Sequence, residues 1–137
     1  MAIPDINVWV ALAAEHIHRT LAVNWWRQHE GSIGFCRMTQ VGLLRLLTTA
    51  AVMNGRPLKM RQAWTVYDSF TRDERVELLP EPPSIDRIFR EHTTKRNQAS
   101  PKSWADAYLI AFATESDGDV VTFDKALARR GPAILLS

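Results

Sequence analysis

The sequence predicts an α/β fold, in which a central parallel sheet of four or five short strands is flanked by helices. Short aliphatic or β-branched segments alternate with longer segments of helical periodicity, and this alternation is typical of a parallel sheet covered on both faces. The chain has 137 residues, of which 46% are hydrophobic, enough for one domain with a real core. We therefore expect a single domain over residues 1–137, arranged as a three-layer sandwich.

Each element is predicted from its apolar spacing and the turn residues that bound it. Strands are predicted at residues 2–5, 33–36, 76–79, 119–122 and 133–136. Helices are predicted at residues 6–14, 20–29, 41–51, 59–71, 85–94 and 104–115, with a short one after Asp124. Thr39, Ser84 and Ser103 are the predicted N-caps, because a hydroxyl there accepts a bond from a free backbone N–H.

Composition excludes several classes of protein. Cys36 is the single cysteine, so an internal disulfide and a thiolate zinc site are excluded, and a reducing, cytoplasmic compartment is expected. No apolar run approaches the roughly 20 residues of a spanning helix, and Asp5 and Asn7 interrupt the only apolar stretch that resembles a signal peptide. The formal net charge of +2 does not by itself indicate a nucleic-acid partner.

Three aspartates lie at the ends of predicted elements. Asp5 follows the first strand, Asp106 opens a long apolar helix and Asp124 follows the fourth strand. Taken alone, Asp106 suits the dipole of its helix and Asp124 suits a cap, whereas Asp5 interrupts an apolar stretch and needs a partner. Carboxylates at the carboxyl ends of parallel strands meet at one edge of the sheet, where they require a cation. Mg²⁺ or Mn²⁺ prefers such oxygen ligands.

The segments around these acids resemble a known family. Residues 4–8 (Pro-Asp-Ile-Asn-Val), 39–48, 106–111 (Asp-Ala-Tyr-Leu-Ile-Ala) and 121–124 (Val-Thr-Phe-Asp) are similar to the signature blocks of PIN-domain ribonucleases. Within that group the chain is most similar to VapC-type toxins of bacterial type II toxin–antitoxin systems. The order and spacing of the blocks hold from Asp5 to Asp124.

The resemblance implies a PIN-like fold and a metal-dependent endoribonuclease that hydrolyses RNA phosphodiester bonds. It implies that Asp5, Asp106 and Asp124 are the catalytic acids and hold Mg²⁺ or Mn²⁺, with Asn7 and Thr122 in support. Gln40 stands where most relatives carry a glutamate, so metal binding is expected to be weak. An alternative is a PIN-fold module, weakened by Gln40, that binds RNA or protein without cutting. The motif Asp5-x-Asn7 also prompts a comparison with dehalogenase-type phosphatases. This chain lacks the acid that the second position of their motif requires.

Partners are predicted from the basic and apolar side chains. Arg45, Arg96 and Lys102 are candidate contacts for RNA or a partner protein, since the last two belong to a basic stretch that ends just before Asp106. The family resemblance implies a tRNA or rRNA loop as substrate and a VapB-like antitoxin as inhibitor. A homodimer is predicted from apolar helix positions, namely Leu43, Leu46, Leu47, Trp64, Tyr67 and Phe70.

Two other residue types are assigned structural roles. The histidines, His16, His18, His29 and His92, show no metal-ligand spacing, and we interpret them as structural or surface residues. His16 and His18 would point to different sides of a helix. Of the tryptophans, Trp9 and Trp104 lie near acids and could stack on a base, but core packing is the commoner role.

Overall fold

The computed structural model describes residues 1–95 and 97–137, and these contain a five-stranded, all-parallel sheet in the order β3-β2-β1-β4-β5. The strands are β1 (Ala2–Pro4), β2 (Ile33–Phe35), β3 (Val76–Leu78), β4 (Asp119–Thr122) and β5 (Ala133–Leu135). The order reverses at β1, which pairs with β2 on one side and β4 on the other. Ligands of open α/β sheets bind at such a switch point, beyond the carboxyl ends of the strands.

Helices cover both faces of this sheet. They are α1 (Ile6–Ala13), α2 (Arg19–Gln28), α3 (Arg37–Leu47), α4 (Met60–Thr71), α5 (Ile85–Thr94), α6 (Ser103–Glu115) and α7 (Lys125–Ala128). Because successive strand residues point to opposite faces, Ile3 and Val120 pack with α6, whereas Ala2 and Val121 pack with α1 and α2. The predicted three-layer α/β arrangement is thus confirmed.

The core under α1, α3 and α4 is aromatic. Trp9 is fully buried and stacks on Phe35, with ring centroids 3.7 Å apart, and Phe70 meets Trp9 edge-on at 5.0 Å. Such ring pairs add to the stabilisation from burial alone. Trp9 is therefore a core residue and is not available to stack on a base.

One prediction about α3 is wrong, and the apolar face of α3 and α4 is less exposed than expected. Helix α3 begins at Arg37, so Thr39 is not the N-cap. Its hydroxyl instead accepts a hydrogen bond from the Cys36 backbone N–H and donates to the Cys36 carbonyl. The apolar face from which the homodimer was predicted is largely internal, because Leu43, Leu47 and Tyr67 are core residues. Of that set, only Trp64 is more than a third exposed, at 46%.

The described residues contain no helix that is long and apolar enough to cross a membrane.

Candidate active site

Asp5 connects β1 to α1 at the switch point of the sheet. Its Oδ1 accepts a hydrogen bond from the Ile6 backbone N–H (2.7 Å) and caps α1. Its Oδ2 accepts one from the Thr122 hydroxyl (3.2 Å). Burial raises the pKa of Asp5 above its usual value, and the charges of Asp106 and Asp124 raise it further. The three acids are thus close enough to influence one another electrostatically.

Thr122 and Asp124 lie beside Asp5 at the carboxyl end of β4. Thr122 is buried at the end of β4, and its hydroxyl both donates to Asp5 and accepts from the Asp124 backbone N–H (3.0 Å). Asp124 uses its Oδ1 to accept bonds from Ala126 N–H (2.8 Å) and Leu127 N–H (3.1 Å), which caps α7. The Thr122 hydroxyl therefore fixes the relative positions of Asp5 and the loop that carries Asp124.

Asp106 lies in the first turn of α6 and faces a cation. The Arg130 Nη1 atom is 3.8 Å from the Asp106 Oδ2 atom. Burial raises the pKa of Asp106, an effect that Arg130 opposes and Asp124 reinforces. Sequence reasoning missed Arg130, because it follows α7 and nothing in its local sequence indicates that it reaches α6.

The three aspartates line one cavity of about 550 Å³. No three His, Cys, Asp or Glu side chains in residues 1–95 and 97–137 are already placed to hold a metal ion. The expectation that all three carboxylates lie within one ion's reach is therefore wrong for this conformation. The reason is local, since Asp5 and Asp124 each cap a helix, Asp106 faces Arg130, and like charges repel.

The donor set nevertheless suits a hard divalent cation. The other polar residues of the lining are Asn7, Thr122, His16, His18 and Arg45. The carboxylates, the amide and the hydroxyl supply oxygen ligands, which favour Mg²⁺ and Mn²⁺. Cys36 is buried in the core, outside this lining. Burial, and to a smaller extent the neighbouring Asp106 and Asp124, raise the pKa of Asp5, and a bound cation would oppose this rise.

Gln40 does not face the cavity. It is buried, its Oε1 accepts a hydrogen bond from Arg37 Nη1 (2.7 Å), and its side chain also meets the Tyr67 hydroxyl of α4. The structure therefore does not bring Gln40 to the three acids, and its amide oxygen accepts a hydrogen bond from Arg37 instead.

One face of α3 borders the cavity. Met38 and Arg45 line the cavity, and residues at i, i+4 and i+7 share one helix face. Gly42 lies between them, and a Cβ built there would be 2.4 Å from Ile6 Cδ1. Gly42 therefore lets this face of α3 approach Ile6 of α1 closely.

Some of the remaining predicted contact residues line the cavity and others do not. Asn7 and Arg45 both line the cavity, as expected for supporting and substrate-contact residues. Lys102 is exposed just before α6 and is outside the cavity lining. Arg96 lies outside the described residues. In the same basic stretch, Arg87 pairs with two glutamates and Arg90 with Asp86, so neither cation is free to track an RNA backbone.

Two histidines lie at the cavity and not, as the sequence had suggested, on a helix. His16 and His18 line the cavity, although we interpreted them as structural or surface residues on different sides of a helix. They lie in the loop between α1 and α2, with ring centroids 5.7 Å apart. Because the backbone there is not helical, i, i+2 spacing does not separate them. Trp104 is 57% exposed beside the site and packs edge-on against Phe89.

Comparison with known proteins decides the family. The sequence profile of the PIN domain matches residues 2–131. The chain belongs to the PIN domain family. It is 38% identical over 138 aligned residues to Ribonuclease VapC41 of Mycobacterium tuberculosis, covering 96% of this chain and 94% of the relative. It is 33% identical to Ribonuclease VapC44 of the same organism, covering 93% and 88%. The resemblance found in the sequence is confirmed.

Solved structures confirm the PIN fold. Mycobacterium tuberculosis VapC20, described as a sarcin-ricin loop cleaving toxin, superposes with a TM-score of 0.72 at 14% identity, covering 96% of this chain and 95% of that one. FitAcB from Neisseria gonorrhoeae gives a TM-score of 0.63 at 16% identity, covering 100% and 97%. At these identities the likeness concerns the fold alone.

Proposed function

We propose that this chain is a Mg²⁺- or Mn²⁺-dependent endoribonuclease and the toxin of a toxin–antitoxin pair. The observation that carries the proposal is that Asp5, Asp106 and Asp124 come from three separate segments and line one cavity at the switch point of a PIN sheet. The chain's relatives at 30% identity or more include several VapC ribonucleases. The acidic cavity and the VapC relatives together support RNA as the substrate.

We assign a role to each acid from the hydrogen bonds that its carboxylate makes. Asp5 and Asp124 are held by helix-capping bonds, so they are the fixed ligands for the cation. A bound Mg²⁺ or Mn²⁺ would polarise the scissile phosphate and lower the pKa of a coordinated water. Of the three aspartates, Asp106 is the one with no capping bond, its partner being Arg130 at 3.8 Å, and we assign it the orientation of that water. Arg45 and Arg130 are placed to pair with phosphate oxygens.

A cleavage assay tests the proposal. The purified chain is incubated with total tRNA and with rRNA, in Mg²⁺, in Mn²⁺ and in EDTA. We expect discrete 5′-phosphate fragments that disappear in EDTA and with Asp106→Asn. Asp119→Asn is the matched control, because this exposed aspartate begins β4 at the opposite end of the strand. Cleavage that persists in EDTA or in Asp106→Asn contradicts the proposal.

A binding module without cleavage is the second candidate, and a specific observation favours it. Among the described residues, the cavity lining contains three acids, Asp5, Asp106 and Asp124, and Gln40 stands without charge where most relatives carry a glutamate. RNA binding with no cleavage in millimolar Mg²⁺ or Mn²⁺ would support this candidate over the nuclease.

The protein partners proposed are a VapB-like antitoxin and a second copy of this chain. The three aspartates repel an acidic segment but pair well with an arginine, so we expect the antitoxin to reach them with a basic side chain and to lose affinity as Mg²⁺ rises. For the homodimer, the exposed apolar surface between α3 and α4 is the candidate contact, lined by Val41 and Trp64. Light scattering of the wild type and of Trp64→Glu tests it. A monomeric wild type at micromolar concentration contradicts the dimer.

A further inference from the structure

A short loop with two histidines stands beside the acids. In this histidine loop, residues 16–18, the His18 backbone N–H donates to His16 Nδ1 (3.0 Å), which ties the two residues together. The His16 ring lies nearly parallel to Phe123, with centroids 5.8 Å apart and 22° between the planes. The His18 ring lies 4.6 Å from Phe123. Ile17 is 90% exposed between them.

Phe123 joins this loop to the catalytic acids. It lies in the chain between Thr122 and Asp124, and all three line the cavity together with His16 and His18. The three rings therefore form an aromatic platform on the wall next to the aspartates. A nucleotide whose phosphate is at the acids has a neighbouring base within reach of this wall.

The chemistry of the platform favours a base over a phosphate. Burial and the neighbouring His18 lower the pKa of His16, so His16 is a neutral ring at neutral pH. Because its Nδ1 accepts a backbone N–H, the proton of the neutral ring is on Nε2. A neutral ring stacks on a base and donates one hydrogen bond, whereas a phosphate clamp requires a cation. Unpaired bases stack readily on aromatic and histidine side chains.

We propose that the histidine loop and Phe123 form a subsite for an unpaired RNA base adjacent to the scissile phosphate. This subsite rests on the proposed ribonuclease function, and it would determine which nucleotide flanks the cut. Ring signals of histidine test it directly. Short oligouridylate and oligoadenylate are titrated in Mg²⁺ into Asp106→Asn labelled with ¹³C in its histidine rings.

A stacked base shifts the ring protons of His16 and His18 upfield. His29 is the internal control, because it stacks on Trp25 but does not line the cavity. The oligonucleotide shifts should vanish when abasic ribose-phosphate of equal length replaces the RNA. Downfield shifts that abasic ribose-phosphate reproduces would overturn the base subsite in favour of phosphate contact, and the absence of any shift at His16 and His18 would also overturn it.

Kinetics separate this inference from the proposed function. His18→Ala should raise KM on the order of tenfold, the loss expected for one stacked base, with kcat little changed. His18→Phe should retain most of the affinity, and His29→Ala should match the wild type. If wild type cleaves RNA and His18→Ala is unchanged, the subsite is wrong and the nuclease stands. If wild type cleaves nothing but base-dependent shifts appear, the nuclease is wrong and the subsite stands.

Discussion

A fourth carboxylate can be added to the cavity, and the structure determines where. We predict that Gly42→Glu tightens Mg²⁺ and Mn²⁺ binding, whereas Gln40→Glu leaves it nearly unchanged. Position 42 shares its helix face with Met38 and Arg45, which line the cavity. A glutamate at position 40 would remain beside Arg37 and satisfy that cation instead.

The stability change expected for Gly42→Glu is small. Replacing a helical glycine gains about 0.8–1 kcal/mol from backbone entropy. The new Cβ would be 2.4 Å from Ile6 Cδ1 and 2.9 Å from Ile6 Cγ1, so the isoleucine must leave its rotamer at a cost of about 0.5–1.5 kcal/mol. Because these terms nearly cancel, we expect the melting temperature to change by only a few degrees.

The gain in metal affinity is measured by titration calorimetry with Mn²⁺. Ligand charge count is a main determinant of divalent-ion affinity, and we expect Gly42→Glu to bind on the order of tenfold more tightly. Gly42→Gln is the matched control, because it carries the same bulk without charge. The assignment of the α3 face is refuted if Gln40→Glu tightens binding and Gly42→Glu does not, provided that both variants melt near the wild type.

Three further predictions concern Asp124, Asp5 and the neighbouring Arg130. Asp124→Ala should lose the cap of α7 and about 1 kcal/mol of stability, whereas Asp124→Asn should keep the cap and lose only activity. Equal losses of unfolding free energy in the two variants, measured by chemical denaturation, would contradict this. Burial, and secondarily Asp106 and Asp124, raise the pKa of Asp5, so its ionisation costs stability once the pH exceeds the unfolded value of 3.8. Asp5→Asn should therefore raise the melting temperature at neutral pH, with the advantage disappearing below that value. Arg130→Met should tighten Mn²⁺ binding about two- to fivefold, because an ion pair of this exposure is worth up to about 1 kcal/mol; weaker binding would show that Arg130 does not compete with the ion.

The fold could be predicted because its signals are local. The carboxyl ends of β1 and β4 are read from short aliphatic runs ending in Asp5 and Asp124, and the parallel sheet then requires those ends to be neighbours. The start of α3 could not be placed as well. Cys36 is a poor capping residue in ordinary statistics, and Thr39 has the hydroxyl that capping favours, although it acts from inside the first turn.

The cations and rings around the acids could not be predicted, since their proximity depends on tertiary packing. Arg130 reaches α6 only because β5 and β4 are adjacent, and His16 reaches Phe123 only because the loop after α1 folds back over β4. The orientation of Gln40 away from the cavity also depends on tertiary packing. On a helix, two residues rotate a side chain by about 200°, so Gln40 and Gly42 face opposite sides although they are close in sequence.

The structural and functional interpretations of the aspartates are not alternatives. Asp124 caps α7 with one carboxylate oxygen and still lines the cavity. Asp5 caps α1 and binds Thr122 in the same way. The capping bonds fix two carboxylates at the end of the sheet. They also hold these two acids in place against the repulsion between their like charges. The local roles that make each aspartate look ordinary in the sequence therefore supply the rigidity that an oxygen-ligand metal site requires.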